Sequence, residues 1–247
     1  MLFYSSDFIL EKGDFYMVKK ALAEAVGTLF LVLIGTGAVV FGESMVHVAL
    51  TFGFILIAMA YSIGTISGAH LNPAVSLAML LNGRMTFQAF LSYVAAQLTG
   101  ALFGSAILKF ILTQSNMSTD NLGATVLADN LTLAGGFVIE LILTFLFVLV
   151  ILTVTGKNGD PHMAGLIIGL TLAAIILMSG TTTGTSLNPA RSFGPAILIG
   201  GAALSQLWMY FLSTLLGGTI AAHVAKVLLG TEAGAPGVEQ EKEEAIA

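Results

Sequence analysis

Gly64-Thr65-Ile66-Ser67-Gly68-Ala69-His70-Leu71-Asn72-Pro73-Ala74-Val75-Ser76 returns 116 residues later as Gly180-Thr181-Thr182-Thr183-Gly184-Thr185-Ser186-Leu187-Asn188-Pro189-Ala190-Arg191-Ser192. The same shift carries Glu24 onto Glu140 and Thr28 onto Thr144, inside stretches that are otherwise apolar. A repeated acid at a fixed distance from a repeated polar motif implies that the two halves of the chain share one architecture.

The residues around these motifs are overwhelmingly apolar. Of 247 residues, 56% are hydrophobic and only 9% are charged, and the mean hydropathy is +0.94. A soluble domain carries about 25% charged residues, so this chain cannot cover its own surface with charge and lipid must solvate much of it. The formal charge of −5 is weighted toward the two ends, and no basic surface exists for nucleic acid. Without any cysteine, disulfides and thiolate chemistry are excluded. His47, His70, His162 and His223 are scattered and have no metal-ligand spacing, so neither a metal nor a cofactor is expected.

Six stretches, roughly 20–41, 46–66, 87–111, 132–154, 162–180 and 203–229, are long enough to cross a hydrocarbon core of about 30 Å at 1.5 Å per residue. Residues 73–82 and 189–199 are apolar but only half that length, and each begins at an Asn-Pro-Ala box. Asparagine suits the N-cap of a helix, and proline suits the first turn, where its missing N–H costs nothing. Each box therefore reads as the start of a half-helix in mid-membrane, preceded by irregular backbone that must line a cavity or be buried in protein. Three spans and a half-helix per repeat make the two repeats opposite in topology, so the half-helix N-termini meet head to head. The expected fold is an all-α membrane protein of six tilted spans and two re-entrant half-helices in an inverted repeat. Residues 19–229 are expected to form one membrane domain, with repeats at about 19–111 and 132–229. Residues 1–18 are expected as a poorly ordered cytoplasmic leader, or as sequence ahead of a start at Met17, and residues 230–247 as an acidic disordered tail. Lys12, Lys19, Lys20, Arg84, Lys157 and Lys242 share one side if both termini are cytoplasmic, in keeping with the positive-inside bias.

Two helix N-termini facing each other create a positive potential of roughly half an elementary charge each. The amides of Asn72 and Asn188 project there, offering donors to a passing oxygen. A neutral solute with lone pairs would be oriented, whereas a cation would be repelled and stripped of its water. No nucleophile and base converge, so the arrangement reads as a pore and not as an enzyme's active site.

With the boxes in SGAHLNPAV and GTSLNPARS and the matched membrane glutamates, the sequence resembles the aquaporin/glycerol facilitator family, the major intrinsic proteins, from about residue 19 to 229. The resemblance implies a cell-membrane homotetramer with one pore per subunit, passing water and small neutral solutes. It also implies that Asn72, Pro73, Ala74, Asn188, Pro189 and Ala190 form the pore centre, and that Glu24 and Glu140 hold backbone N–H groups of the half-helix loops. His70 would line the cytoplasmic vestibule. By the same resemblance the narrow filter falls on Phe52, Ile176, Thr185 and Arg191. Water-selective members usually carry histidine where Ile176 stands, and glycerol facilitators place an aspartate where Ser192 stands. The filter thus resembles the intermediate type of archaeal members, with water as the main solute and slow passage of glycerol expected. Residues 112–131 are expected to fold over the pore mouth. Two other readings remain open on the residues alone: a secondary transporter, which also uses inverted repeats and broken helices, and a structural membrane-junction protein.

Overall fold

The computed structural model describes the backbone of residues 6–229 and the side chains from residue 15 onward; the acidic tail, 230–247, lies outside the described residues. Nine helices are present among the described residues: α1 Ser6–Phe41, α2 Met45–Ser62, α3 Gly64–Ser67, α4 Pro73–Leu81, α5 Phe87–Gln114, α6 Leu133–Val154, α7 Ala164–Thr183, α8 Pro189–Ile199 and α9 Gly201–Leu229. Six are long and apolar enough to cross a membrane: the Phe15–Phe41 part of α1, then α2, α5, α6, α7 and α9. Helix α1 starts at Ser6, so it runs through most of the stretch expected as a leader. The chain is a multi-pass membrane protein of the expected all-α class, with α4 and α8 as the short elements.

The start of each short helix follows from its sequence. Asn72 and Asn188 are extended (φ −157° and −152°), and each carboxamide oxygen accepts from the N–H two residues on, Ala74 at 2.8 Å and Ala190 at 3.0 Å. Pro73 and Pro189 occupy the first helical position, where no N–H is needed. The first half differs in one respect: a break at Ile63 separates α2 from α3, whereas α7 runs unbroken to Thr183.

Helices pack through glycine, as expected in lipid, where small residues let backbones approach. A Cβ on Gly53 would lie 2.8 Å from the Gly169 carbonyl oxygen, and one on Gly169 would lie 2.6 Å from that of Gly53. The pseudo-two-fold axis therefore passes between α2 and α7 at these two residues. Gly100 of α5 sits in the same way against the Ala25 carbonyl of α1, and Gly217 of α9 against that of Leu141 in α6. Ala25 and Leu141 are 116 residues apart, but Gly100 and Gly217 are 117 apart. Repeat two thus gains one residue between its half-helix and its last span, where α8 is also the longer of the short helices, at 11 residues against 9 in α4.

Candidate functional site

The site is built on two backbone loops, 68–72 and 184–188, that enter the bundle. Gly68, Ala69 and Leu71 adopt positive φ (87°, 48° and 51°), and so do Gly184, Thr185 and Leu187 (72°, 44° and 53°). Outside glycine this left-handed region is unfavourable, so something must hold four non-glycine residues there. The two buried glutamates do so. Glu24 Oε1 accepts from the Ser67 hydroxyl (2.7 Å) and the His70 N–H (2.9 Å), and its Oε2 from the Leu71 N–H (2.7 Å) and Gln97 Nε2 (2.8 Å). Glu140 Oε1 accepts from Thr183 Oγ1 (2.5 Å) and the Ser186 N–H (2.9 Å), and its Oε2 from the Leu187 N–H (3.0 Å). Both carboxylates are fully buried. Tyr93 donates to the Ser67 carbonyl and Tyr210 to that of Thr183, each at 2.7 Å, which pins the helix end ahead of each loop.

So braced, the loops cross-link each other. Asn72 Nδ2 donates to the Leu187 carbonyl and Asn188 Nδ2 to the Leu71 carbonyl, both at 2.8 Å. Each amide oxygen is committed to its own helix start, and one of the two N–H bonds on each nitrogen is committed to the opposite loop. The remaining N–H on each is the only polar group these side chains have left to offer. Both asparagines line a cavity of about 310 Å³, and so do Phe52, Ile176, Thr185 and Arg191. The cavity extends to Tyr61 and Pro161, near the side where α1 begins and α9 ends.

The four positions expected to form a filter come from four elements. Arg191, 4% exposed, follows Ala190 in α8. Its Nη1 donates to the Gly123 carbonyl (2.9 Å), and its guanidinium carbon lies 5.2 Å from the centre of the Phe52 ring, within reach of a cation–π attraction. Phe52 lies flat against Gly35 of α1, which has no side chain to displace the ring. Ile176 projects from α7, and the Thr185 hydroxyl is 2.7 Å from that of Ser179, about one turn further along α7. His70 also lines the cavity, its Nδ1 3.1 Å from the Ser76 hydroxyl and its ring edge-on to Tyr93.

The Major intrinsic protein pattern matches residues 11–225. This chain belongs to the major intrinsic protein family. Among relatives of this major intrinsic protein, "Glycerol uptake facilitator protein-like 6" of Lactiplantibacillus plantarum is 43% identical over 85% of this chain and 98% of its own length. "Aquaporin Z" of Rhodopseudomonas palustris is 38% identical, covering 85% and 92%. Among solved structures, the aquaglyceroporin of Plasmodium falciparum superposes with a TM-score of 0.79 at 25% identity, covering 86% of this chain and 97% of that one.

Several supports of this major intrinsic protein's site escape a motif reading. Gly123 and Thr125 reach it from the 115–132 connection: Gly123 supplies the carbonyl for Arg191, and Thr125 Oγ1 donates to Ser192 Oγ at 2.7 Å. Gln97 bridges Glu24 and Ser76 (2.8 and 3.0 Å) from inside an apolar span, and a lone amide among aliphatic residues was the available signal. Arg84, read from sequence only for orientation, donates to the carbonyl and hydroxyl of Thr155 (2.7 and 2.9 Å), tying the end of α4 to the end of α6.

Proposed function

We propose that the protein is a passive channel that conducts water, and glycerol slowly, while excluding protons and other ions. The observation that carries this reading is the reciprocal pairing of Asn72 and Asn188. Because each amide oxygen is capped by its own helix start, only N–H groups face a passing molecule. A water there accepts from the asparagines and must direct both of its own hydrogens outward along the file. Water on either side is then oriented in opposite senses, and a proton cannot hop through without reversing the central molecule. The N-termini of α4 and α8 add positive potential at the same point, which repels cations. Transport is the function, and no catalytic step is needed.

Specificity is carried by Phe52, Ile176, Thr185 and Arg191. The guanidinium of Arg191 donates to a solute oxygen and opposes cations. Ile176 contributes bulk without a hydrogen-bonding group, so the opening is wider and more apolar than one with histidine. The names of the relatives point both to water and to glycerol, and this mixed filter, which we read as the intermediate, archaeal type, accounts for a channel between the two. Both termini are assigned to the cytoplasm from the basic residues. A homotetramer is inferred from family resemblance.

A proton-coupled transporter would need an ionisable group at the central site. Glu24 and Glu140 do not line the cavity and are committed to loop N–H groups, which favours the channel. Stopped-flow light scattering on proteoliposomes tests the proposal: shrinkage in an osmotic gradient should be far faster than in empty liposomes, without saturation. Baseline water flux would sink it.

A further inference from the structure

The pseudo-two-fold axis gives every filter residue a mate on the opposite side of the asparagine pair. Its register is fixed in space by Gly53 and Gly169, which each abut the other's carbonyl, and by Asn72 and Asn188, which each bond the loop of the other. Counting from these anchors, Phe52 corresponds to Ile168 and Ile176 to Ala60. In the loops, Thr185 corresponds to Ala69, and the two share the same left-handed backbone, φ 44° and 48°. Arg191 corresponds to Val75, three residues into the other half-helix. All four mates line the same cavity as the filter. Thr185 and Arg191 give the filter two hydrogen-bonding side chains, whereas none of the four mates carries one. His70, beside Ala69, also lines the cavity, with its Nδ1 engaged by the Ser76 hydroxyl at 3.1 Å.

We propose that Ala60, Ala69, Val75 and Ile168 form a second, apolar selectivity ring, and that this ring sets the barrier for hydroxylated solutes relative to water. The inference rests on the channel reading above and adds to it the place where a small polyol is slowed. A water passing an apolar ring keeps its neighbours in the file as hydrogen-bond partners. A three-carbon polyol displaces those neighbours along its length and loses partners for hydroxyls that face Ile168 and Val75, a cost the polar ring at Arg191 does not impose.

Adding one hydroxyl to the ring without widening it should lower that cost. Val75→Thr is nearly isosteric, and Ala69→Thr places threonine on a backbone where Thr185 already shows that it fits. Water and glycerol permeabilities of wild type, V75T, A69T and V75A are measured in the same proteoliposome preparation. The glycerol-to-water ratio should rise roughly two- to tenfold in V75T and A69T, the rate equivalent of about one net hydrogen bond. V75A, which widens the ring without adding a hydroxyl, should raise it less than V75T. An unmoved or lowered ratio in both threonine variants of a conducting protein overturns the second ring. A V75A effect as large as that of V75T overturns it as well, because width alone would then be acting. Wild-type water flux at the level of empty liposomes would instead overturn the channel reading itself.

Discussion

Gly53 and Gly169 each press on the carbonyl oxygen of the other, at 2.8 and 2.6 Å for a notional Cβ. This contact joins the halves of the protein through α2 and α7 and fixes the axis on which the two asparagines are paired. Substitution by alanine at either site would push backbone from backbone. Gly53→Ala should cost about 1–3 kcal/mol, the range for overpacking, and lower the thermal transition in detergent. Gly37→Ala, where a Cβ would meet only Leu108 Cδ1 at an ordinary 3.7 Å, should leave the transition unchanged or raise it. Equal behaviour of the two variants would remove the axis contact from the account.

The buried carboxylates should be replaceable by nothing that carries an N–H. In Glu140→Gln one oxygen becomes a donor facing either the Leu187 N–H or the Ser186 N–H, so a loop held at positive φ loses a charge-assisted partner. A loss of about 1.5–3 kcal/mol is expected, read as a lower thermal transition and a smaller folded yield. Glu24→Gln should behave alike, since the Leu71 and His70 N–H groups stand in the same relation to it. Full stability with selective loss of proton-coupled flux would turn these residues into coupling groups.

The half-helices, the six spans and the pairing of the halves were legible in the sequence because they follow from a repeat at a fixed shift and from hydropathy, both of which can be read directly along the chain. Glu24 and Glu140 stood out for the same reason: an acid inside apolar sequence must be paid for by partners. What could not be read is whatever comes from a connection without period. Gly123 and Thr125 belong to a stretch expected only to cover the pore mouth, yet they hold Arg191 and Ser192. The brace at Gln97 has Ser213 at the 116-residue shift and Thr214 at the shift of 117 that Gly100 and Gly217 follow, so symmetry gave no amide to look for.

Ile176→His should narrow the filter and supply a donor. Glycerol flux should fall about tenfold, the discrimination available from small changes in pocket size, while water flux persists. Glycerol flux that stays unchanged would place Ile176 away from the constriction.

Arg191→Val gives the filter the residue of its mate, Val75, and frees the Gly123 carbonyl. Glycerol flux should rise several-fold and proton leak should become measurable by a pH-sensitive dye trapped in the vesicles. If both stay at wild-type values, Arg191 has only a structural task.

The most direct measurement of the central claim is a side-by-side determination of water, glycerol and proton flux on the reconstituted wild-type protein. The paired asparagines and the Phe52–Ile176–Thr185–Arg191 filter predict rapid, non-saturating water flux, slower glycerol flux and proton permeability no greater than that of empty liposomes. Water flux at the empty-liposome level, or solute flux that collapses when a proton gradient is dissipated, would contradict the account.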